Sequence, residues 1–353
     1  MRGFMGRSVV VLLAVLVIPG MLSAEMVTKQ IQRAFSSELK EPFAVENLVG
    51  DMKVLQGQGP AVTVTGTVHA ESNELAGLLR LDVVTNDKGR PCIRVRYPLD
   101  RYKTYRYSAS GSSNMDYDGY HNVSVSRHSG VLLYADLEVR VPARWMDGNF
   151  VNHVGRLEAE GIEGKYLFDT GTGEIAINKI KGDVVADTGS GDISATDVNG
   201  MLRCDTGSGD CKVYAFNGEK LVCDTGSGRV EVRTAAAKRI EADTGSGDII
   251  LLSADAEEFS ADTGSGDVEV DTRGDRLRSI KADTGSGDVT IRLAANVGFE
   301  AIADQGSGDI ENGFSDAQPI VEGREVIGYR RGDGRVRIEV DTGSGDMVLE
   351  PVP

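Results

Sequence analysis

Asp187-Thr188-Gly189-Ser190 spells the local phrase of an aspartic-protease loop, in which two carboxylates share one proton. The 353-residue chain carries this phrase nine times, as D-T-G-S-G-D or a close variant. The copies begin at Asp169, Asp187, Asp205, Asp224, Asp243, Asp262, Asp283, Asp304 and Asp341. Acid catalysis of that kind needs two loops facing each other from separate lobes. Here the copies are spaced 18, 18, 19, 19, 19, 21, 21 and 37 residues apart, which lines their carboxylates along one edge. The protease reading is therefore rejected, and glycine demand at a repeated turn explains the phrase more simply.

Two further chemistries are open to these carboxylates. Five residues into each copy stand Glu174, Asp192, Asp210, Arg229, Asp248, Asp267, Asp288, Asp309 and Asp346. Stacked copies would bring like charges about 5 Å apart. In the reading favoured here, each carboxylate accepts turn backbone N–H groups and water screens the rest. The alternative is weak Ca²⁺ binding between rows, with Asp248, Asp267, Asp288 and Asp309 as ligands. The calcium β-roll repeat G-G-x-G-x-D differs from this phrase: its period is half as long and a residue separates Gly from Asp. No cofactor is expected.

Other reactive groups are sparse. Cys204 and Cys223 both precede the phrase in adjacent copies and are close enough for a disulfide, with Cys211 facing inward from the first of them. Buried free thiols are the simpler reading. His69, His121, His128 and His153 show no metal spacing. Arg273-Gly274-Asp275 and Arg331-Gly332-Asp333 spell an integrin tripeptide that a chain rich in Gly and Asp produces by chance. No nucleophile–base pair stands out, so no catalytic residue is assigned.

The elements that hold these groups follow from the period. A repeat near 19 residues marks a solenoid, one turn of chain per repeat. One residue before the phrase stand Phe168, Ala186, Cys204, Cys223, Ala242, Ala261, Ala282, Ala303 and Val340. Six residues after its first Asp stand Ile175, Ile193, Cys211, Val230, Ile249, Val268, Val289, Ile310 and Met347. Alternation with period two in short runs means half-buried strands. The inward parity shifts by one across the phrase, so its glycines must form a bulge or tight corner. Gly171, Gly189, Gly207, Gly226, Gly245, Gly264, Gly285, Gly306 and Gly343 serve there through φ > 0 or close backbone approach. The expected fold is all-β: a single-chain parallel β-solenoid with coils of about 18–21 residues, some 40 Å long at ~4.8 Å per coil.

The regular part is placed at 152–350, with a hairpin insertion at 312–340 in which Glu325 to Val340 forms the hairpin. Irregular opening coils occupy 44–151, after a linker at 25–43. Within them lies a Tyr-rich excursion at 98–130. Seven of the ten tyrosines fall between Tyr97 and Tyr134, among them Tyr102, Tyr105, Tyr107, Tyr117 and Tyr120. Two readings stand level: a contact surface for protein or glycan, or rings that plaster the excursion onto the solenoid flank.

Residues 1–24 read as a secretory signal peptide: Arg2 and Arg7, the apolar run Val9 to Ile18, then Leu22-Ser23-Ala24. The run is short for a membrane span, no second one follows, and no transmembrane segment is expected. The net charge of −16 becomes −18 once Arg2 and Arg7 are removed, which argues against nucleic acid and anionic lipid as partners. The protein is expected in the periplasm, at the cell surface or outside.

The opening VENLVGDMKV, the ADLEVRVP strand and the tandem ADTGSGDV coils resemble a family of secreted bacterial proteins known as putative adhesins, a domain of unknown function. The resemblance covers Ala44 to Glu350. It implies a single-chain parallel β-solenoid, often with a C-terminal hairpin, and offers no catalytic residues to carry over. The function expected is a non-enzymatic adhesin or envelope-binding scaffold whose partner is a protein or glycan. A Ca²⁺-stabilised structural solenoid is the alternative, and a polysaccharide-acting enzyme is the third reading.

Overall fold

A computed structural model describes residues 26–35, 39, 42–108, 113–274 and 276–352. The signal-peptide reading of 1–24 lies outside these residues. The fold is all-β, with twenty-six strands in one continuous sheet and three in a second. The one helix among the described residues is the four-residue Asn73–Ala76, capped by Ser72, whose Oγ accepts the Leu75 N–H at 3.2 Å.

The repeats stack in parallel. Phe150, Phe168, Ala186, Cys204, Cys223, Ala242, Ala261 and Ala282 are successive Cα partners, all buried. Across the glycine corner Leu157, Ile175, Ile193, Cys211, Val230, Ile249, Val268 and Val289 form the matching column. These columns are the narrow core, and alternation puts their neighbours outside.

Close approach, not positive φ, is what the phrase glycines supply. A Cβ on Gly247 would collide with the Gly228 carbonyl oxygen, and the same holds at Gly191, Gly209, Gly228, Gly266 and Gly287. Left-handed backbone occurs elsewhere in the layer, ten residues after the first Asp. There Lys179, Asp197, Ala215, Thr234 and Ser253 have φ between 51° and 57° and turn the chain into its next side.

The layers are not stacked in chain order at the C-terminal end. Asp283 pairs with Asp341, and Asp341 pairs in turn with Asp304. The ninth repeat thus lies between the seventh and the eighth. The hairpin expected at Glu325 to Val340 also needs correction. It is formed by Gln318–Glu322 and Glu325–Arg331. Glu325–Arg331 then runs antiparallel to the outer edge of Phe299–Gln305, while Val336–Thr342 lies parallel on its inner edge. With the outer edge taken, the last phrase has its in-register place only between the two earlier layers.

At the other end, Phe43–Val49 and Met52–Gly57 lie directly on Met146–Val154 and Leu157–Glu160. The intervening chain adds a further layer, Pro91–Arg96 parallel on Phe43–Val49 and Leu133–Pro142 parallel on Met52–Gly57. Its Leu133–Pro142 and Thr63–Ala70 pair antiparallel, as do Arg80–Thr85 and Pro91–Arg96. Within 25–43, Val27–Ala34 is a strand antiparallel to Thr63–Ala70. Within 98–130, Thr104–Arg106, Ser113–Tyr117 and Tyr120–Ser126 form the small second sheet. Antiparallel strands therefore blunt both ends of the parallel stack.

Candidate binding groove

Residues two before each phrase should face water. Three of the first four layers break that rule. Leu167, Val185 and Val222 occupy this outward position, Arg203 stands between them, and Met201 lies beside it. Val185 and Met201 are 37% and 44% exposed, so this is an apolar strip on the outside of the stack. The turn between Arg80–Thr85 and Pro91–Arg96 overhangs one end. The Asn86 side chain fixes that turn by accepting the N–H groups of Lys88 (3.1 Å) and Arg90 (3.0 Å). Arg90 in turn donates to Asn149 at 2.9 Å and lies 3.7 Å from Asp147.

Strip and turn enclose a cleft of about 580 Å³. Lys88, Arg90, Lys165, Arg203 and Lys220 line it, against the carboxylates of Asp147 and Asp183. Arg90, Arg203 and Lys220 are engaged by Asp147, by Asp205 and Asp224, and by Glu241 (2.8 Å), while Lys88 and Lys165 face the apolar floor, an arrangement able to seat a negative group attached to an apolar body. The sequence reading missed it. The signal was available as three apolar residues in the first four layers at a position that later holds Glu241, Ser260, Lys281 and Glu339, with Ile302 the other apolar occupant.

The aspartate rows have two different environments. In the row five residues into the phrase, Asp192, Asp210, Asp248, Asp267, Asp288 and Asp346 each accept a backbone N–H of the adjacent layer. Asp210 donates to Asp192 at 2.9 Å, Arg229 to Asp210 at 3.0 Å, Asp267 to Asp248 at 3.3 Å and Asp288 to Asp267 at 2.9 Å. Backbone N–H groups do satisfy these carboxylates, but from the neighbouring layer and not from the same turn. The Ca²⁺ reading of Asp248, Asp267, Asp288 and Asp309 finds no support, because one oxygen of Asp248, Asp267 and Asp288 is already committed and no three of these carboxylates converge among the described residues. In the first-Asp row, burial and then the neighbouring Asp push Asp169, Asp187 and Asp243 above the usual carboxylate range. Arg203 relieves one step of this repulsion by reaching Asp205 (2.7 Å) and Asp224 (3.5 Å).

A buried threonine ladder runs behind the rows. Thr188, Thr206, Thr225, Thr244, Thr263 and Thr284 each donate to a glycine carbonyl of the preceding layer, at 2.8–3.0 Å. From Thr206 onward the same hydroxyl accepts the N–H of the glycine three residues on. Asn152 and Asn47 continue the column into the opening layers, where Asn152 donates to the Gly50 carbonyl at 2.8 Å and Asn47 to Asn152 at 3.1 Å.

The tyrosines do not form a contact surface. Tyr105, Tyr107 and Tyr117 are buried, with their hydroxyls donating to the Tyr102 carbonyl (3.1 Å), Asp51 Oδ1 (2.8 Å) and the Val95 carbonyl (2.7 Å). Tyr102 is half-buried, and Tyr120 alone of the five is exposed, beneath Lys103. The rings fasten the excursion to the stack.

All four cysteines are free and buried. Cys204 and Cys223 are register partners without a disulfide, and the thiol of Cys211 joins them. Thiol hydrogen bonds from Cys211 and Cys223 pull Cys204 down, while donation to Cys204 and burial push the other two up. Of the integrin tripeptides, Asp275 lies outside the described residues. Arg331 is tied to Asp316 at 2.6 Å and to the Val297 carbonyl at 2.8 Å.

No helix among the described residues is long and apolar enough to cross a membrane. No curated protein matches the chain. Three solved structures align with it over most of its length. A putative adhesin from Parabacteroides distasonis ATCC 8503 is 13% identical, covers 93% of this chain and 97% of its own, and has a TM-score of 0.45. A putative lipid binding protein from the same organism is 14% identical, with coverage of 90% and 96% and a TM-score of 0.43. A putative adhesin from Parabacteroides merdae ATCC 43184 is 12% identical, with coverage of 93% and 97% and a TM-score of 0.43. The family model described as Toastrack DUF4097 matches residues 136–350, the whole run of stacked repeats included, and the chain belongs to that family.

Proposed function

We propose that this chain is a non-enzymatic, exported binding scaffold of the cell envelope, built as a parallel β-solenoid, and that the cation-lined groove is where it holds its ligand. The groove carries the reading: the strip of Leu167, Val185, Met201 and Val222 lies within reach of Lys88, Arg90, Lys165 and Lys220. An anionic amphiphile fits such a surface, its acyl or aromatic body on the strip and its carboxylate or phosphate on the rim. An adhesin role would use the same surface against an envelope component of that chemistry. The repeated carboxylates serve as hydrogen-bond acceptors between layers, which supports a scaffold over a polysaccharide-acting enzyme.

Binding of a fluorescent long-chain carboxylate, beside its neutral alcohol analogue, tests this reading. The carboxylate should bind in the micromolar range or tighter, weaken with salt and lose affinity in the Lys88→Glu/Lys165→Glu double variant. Equal binding of the two probes, or binding unchanged in the variant, would remove the groove from the proposal. Shortening of an envelope polysaccharide by the purified chain would remove the non-enzymatic reading.

A further inference from the structure

Three of the four cysteines meet at one point of the core. Cys204 and Cys223 stand before the phrase in the third and fourth layers, and Cys211 stands six residues into the third. Their sulfur atoms all lie within 4.8 Å of one another, and all three residues are fully buried. In other layers these two positions hold Phe, Ala or Val on one side and Ile, Val or Met on the other. The thiols therefore replace ordinary core residues at three adjoining positions.

We propose that Cys204, Cys211 and Cys223 form a buried three-sulfur site for one soft monovalent cation, with copper(I) as the ion to test. Thiolate sulfur selects soft metals. The number of donors then narrows the choice. Zinc in a closed structural site takes four ligands, and three sulfurs are offered here. The nearby Thr206 and Thr225 hydroxyls cannot add a fourth without giving up Gly191 and Gly209, whose carbonyls they hold at 2.9 and 2.8 Å. Copper(I) accepts a trigonal set. With metal–sulfur bonds of ~2.3 Å, a planar triangle spaces its sulfurs about 4.0 Å apart, so the thiols need only a small contraction. Sulfur binds the metal as thiolate, so entry of copper(I) releases the protons of the ligating thiols, and loading strengthens as pH rises. Because the site is closed, the ion enters while the chain folds or during a local opening of the third and fourth layers.

The experiment uses the full reduced chain, refolded without oxygen in the presence of copper(I) and then challenged with a copper(I) chelator. Copper per chain and the near-ultraviolet sulfur-to-copper absorption are measured. Cys204→Ala, Cys223→Ala and Cys211→Val place at each position a residue that neighbouring layers already use, so the variants are expected to fold, and circular dichroism verifies it. Cys92→Ala is the control. One copper per chain is expected in the parent and the control, with at least tenfold easier removal from each of the three variants and a rise in melting temperature on loading in the parent and the control only. No copper retained, copper retained equally by the variants, or a Cys204–Cys223 disulfide in protein folded with copper(I) present would each overturn the proposal.

Discussion

The backbone N–H of Asp346 donates to the carboxylate of Asp288 across 2.9 Å, although 58 residues separate them. The N–H of Asp309 donates to Asp346 in turn, at 2.8 Å. One hydrogen-bond row thus threads the seventh, ninth and eighth repeats in that order. The last repeat is an internal layer held on both faces, by Val289–Leu293 on one side and Ile310–Asn312 on the other.

Truncation after Arg335 should therefore do more than trim an end. It removes the layer that joins Phe299–Gln305 to the rest of the stack. Hydrogen exchange is expected to show loss of protection through 299–331, with protection kept from Glu163 to Thr272. Unchanged protection at 299–305 would contradict the layer order.

The threonine ladder should be worth more than its hydroxyls suggest. Thr244→Val leaves the Gly228 carbonyl and the Gly247 N–H buried and unpaired, at a cost of about 1–3 kcal/mol. Thr244→Ser keeps both bonds and should cost less than ~1 kcal/mol. Urea denaturation of the two variants checks the difference.

Glycine substitutions should separate by position. Gly247→Ala drives a methyl group into the Gly228 carbonyl and should destabilise by roughly 1–3 kcal/mol. Gly59 has open space where a Cβ would go and no positive φ, so Gly59→Ala should gain about 0.4–1 kcal/mol through the unfolded chain. Thermal melts of the pair decide this.

The first-Asp row carries a pH signature. Asp169, Asp187 and Asp243 titrate above the ordinary carboxylate value, from burial first and the adjacent Asp second. Folded chain binds these protons more readily than unfolded chain. Their contribution is therefore complete below the unfolded value near 3.9 and is lost as pH rises through the raised range. Asp187→Asn should stabilise by a few tenths of a kcal/mol at pH 7, a figure discounted for solvent screening, and by nothing at pH 3. Denaturation of parent and variant at the two pH values gives the comparison.

Charge reversal at the groove should be local. Lys165→Glu is expected to weaken binding of an anionic amphiphile about tenfold, while Lys281→Glu, far along the stack, leaves it unchanged. A fluorescence titration at two salt concentrations measures both.

Much of the layer was legible in the chain because one period repeats a single set of constraints. Phe168, Ala186 and Cys204 read inward by parity alone, and Gly191 or Gly247 by the demand of a corner. The order of the last layers was not legible. Ala303 and Val340, or Ile310 and Met347, fill the same core positions equally well, so the pattern cannot say which lies outermost. The tyrosines left two readings level for a different reason. Tyr107 reaches Asp51 and Tyr117 reaches the Val95 carbonyl, partners that only the folded chain brings near. The groove was visible as Leu167, Val185 and Val222, but the overhanging turn with Lys88 and Arg90 comes from a distant segment.

Placing the ninth repeat inside the wall has a consequence for folding. A chain that adds courses in sequence order can lay down the first seven, then must set the eighth with a vacant slot beneath it. Only the ninth repeat fits that slot. Until it threads in, the seam keeps unpaired strand edges on both sides.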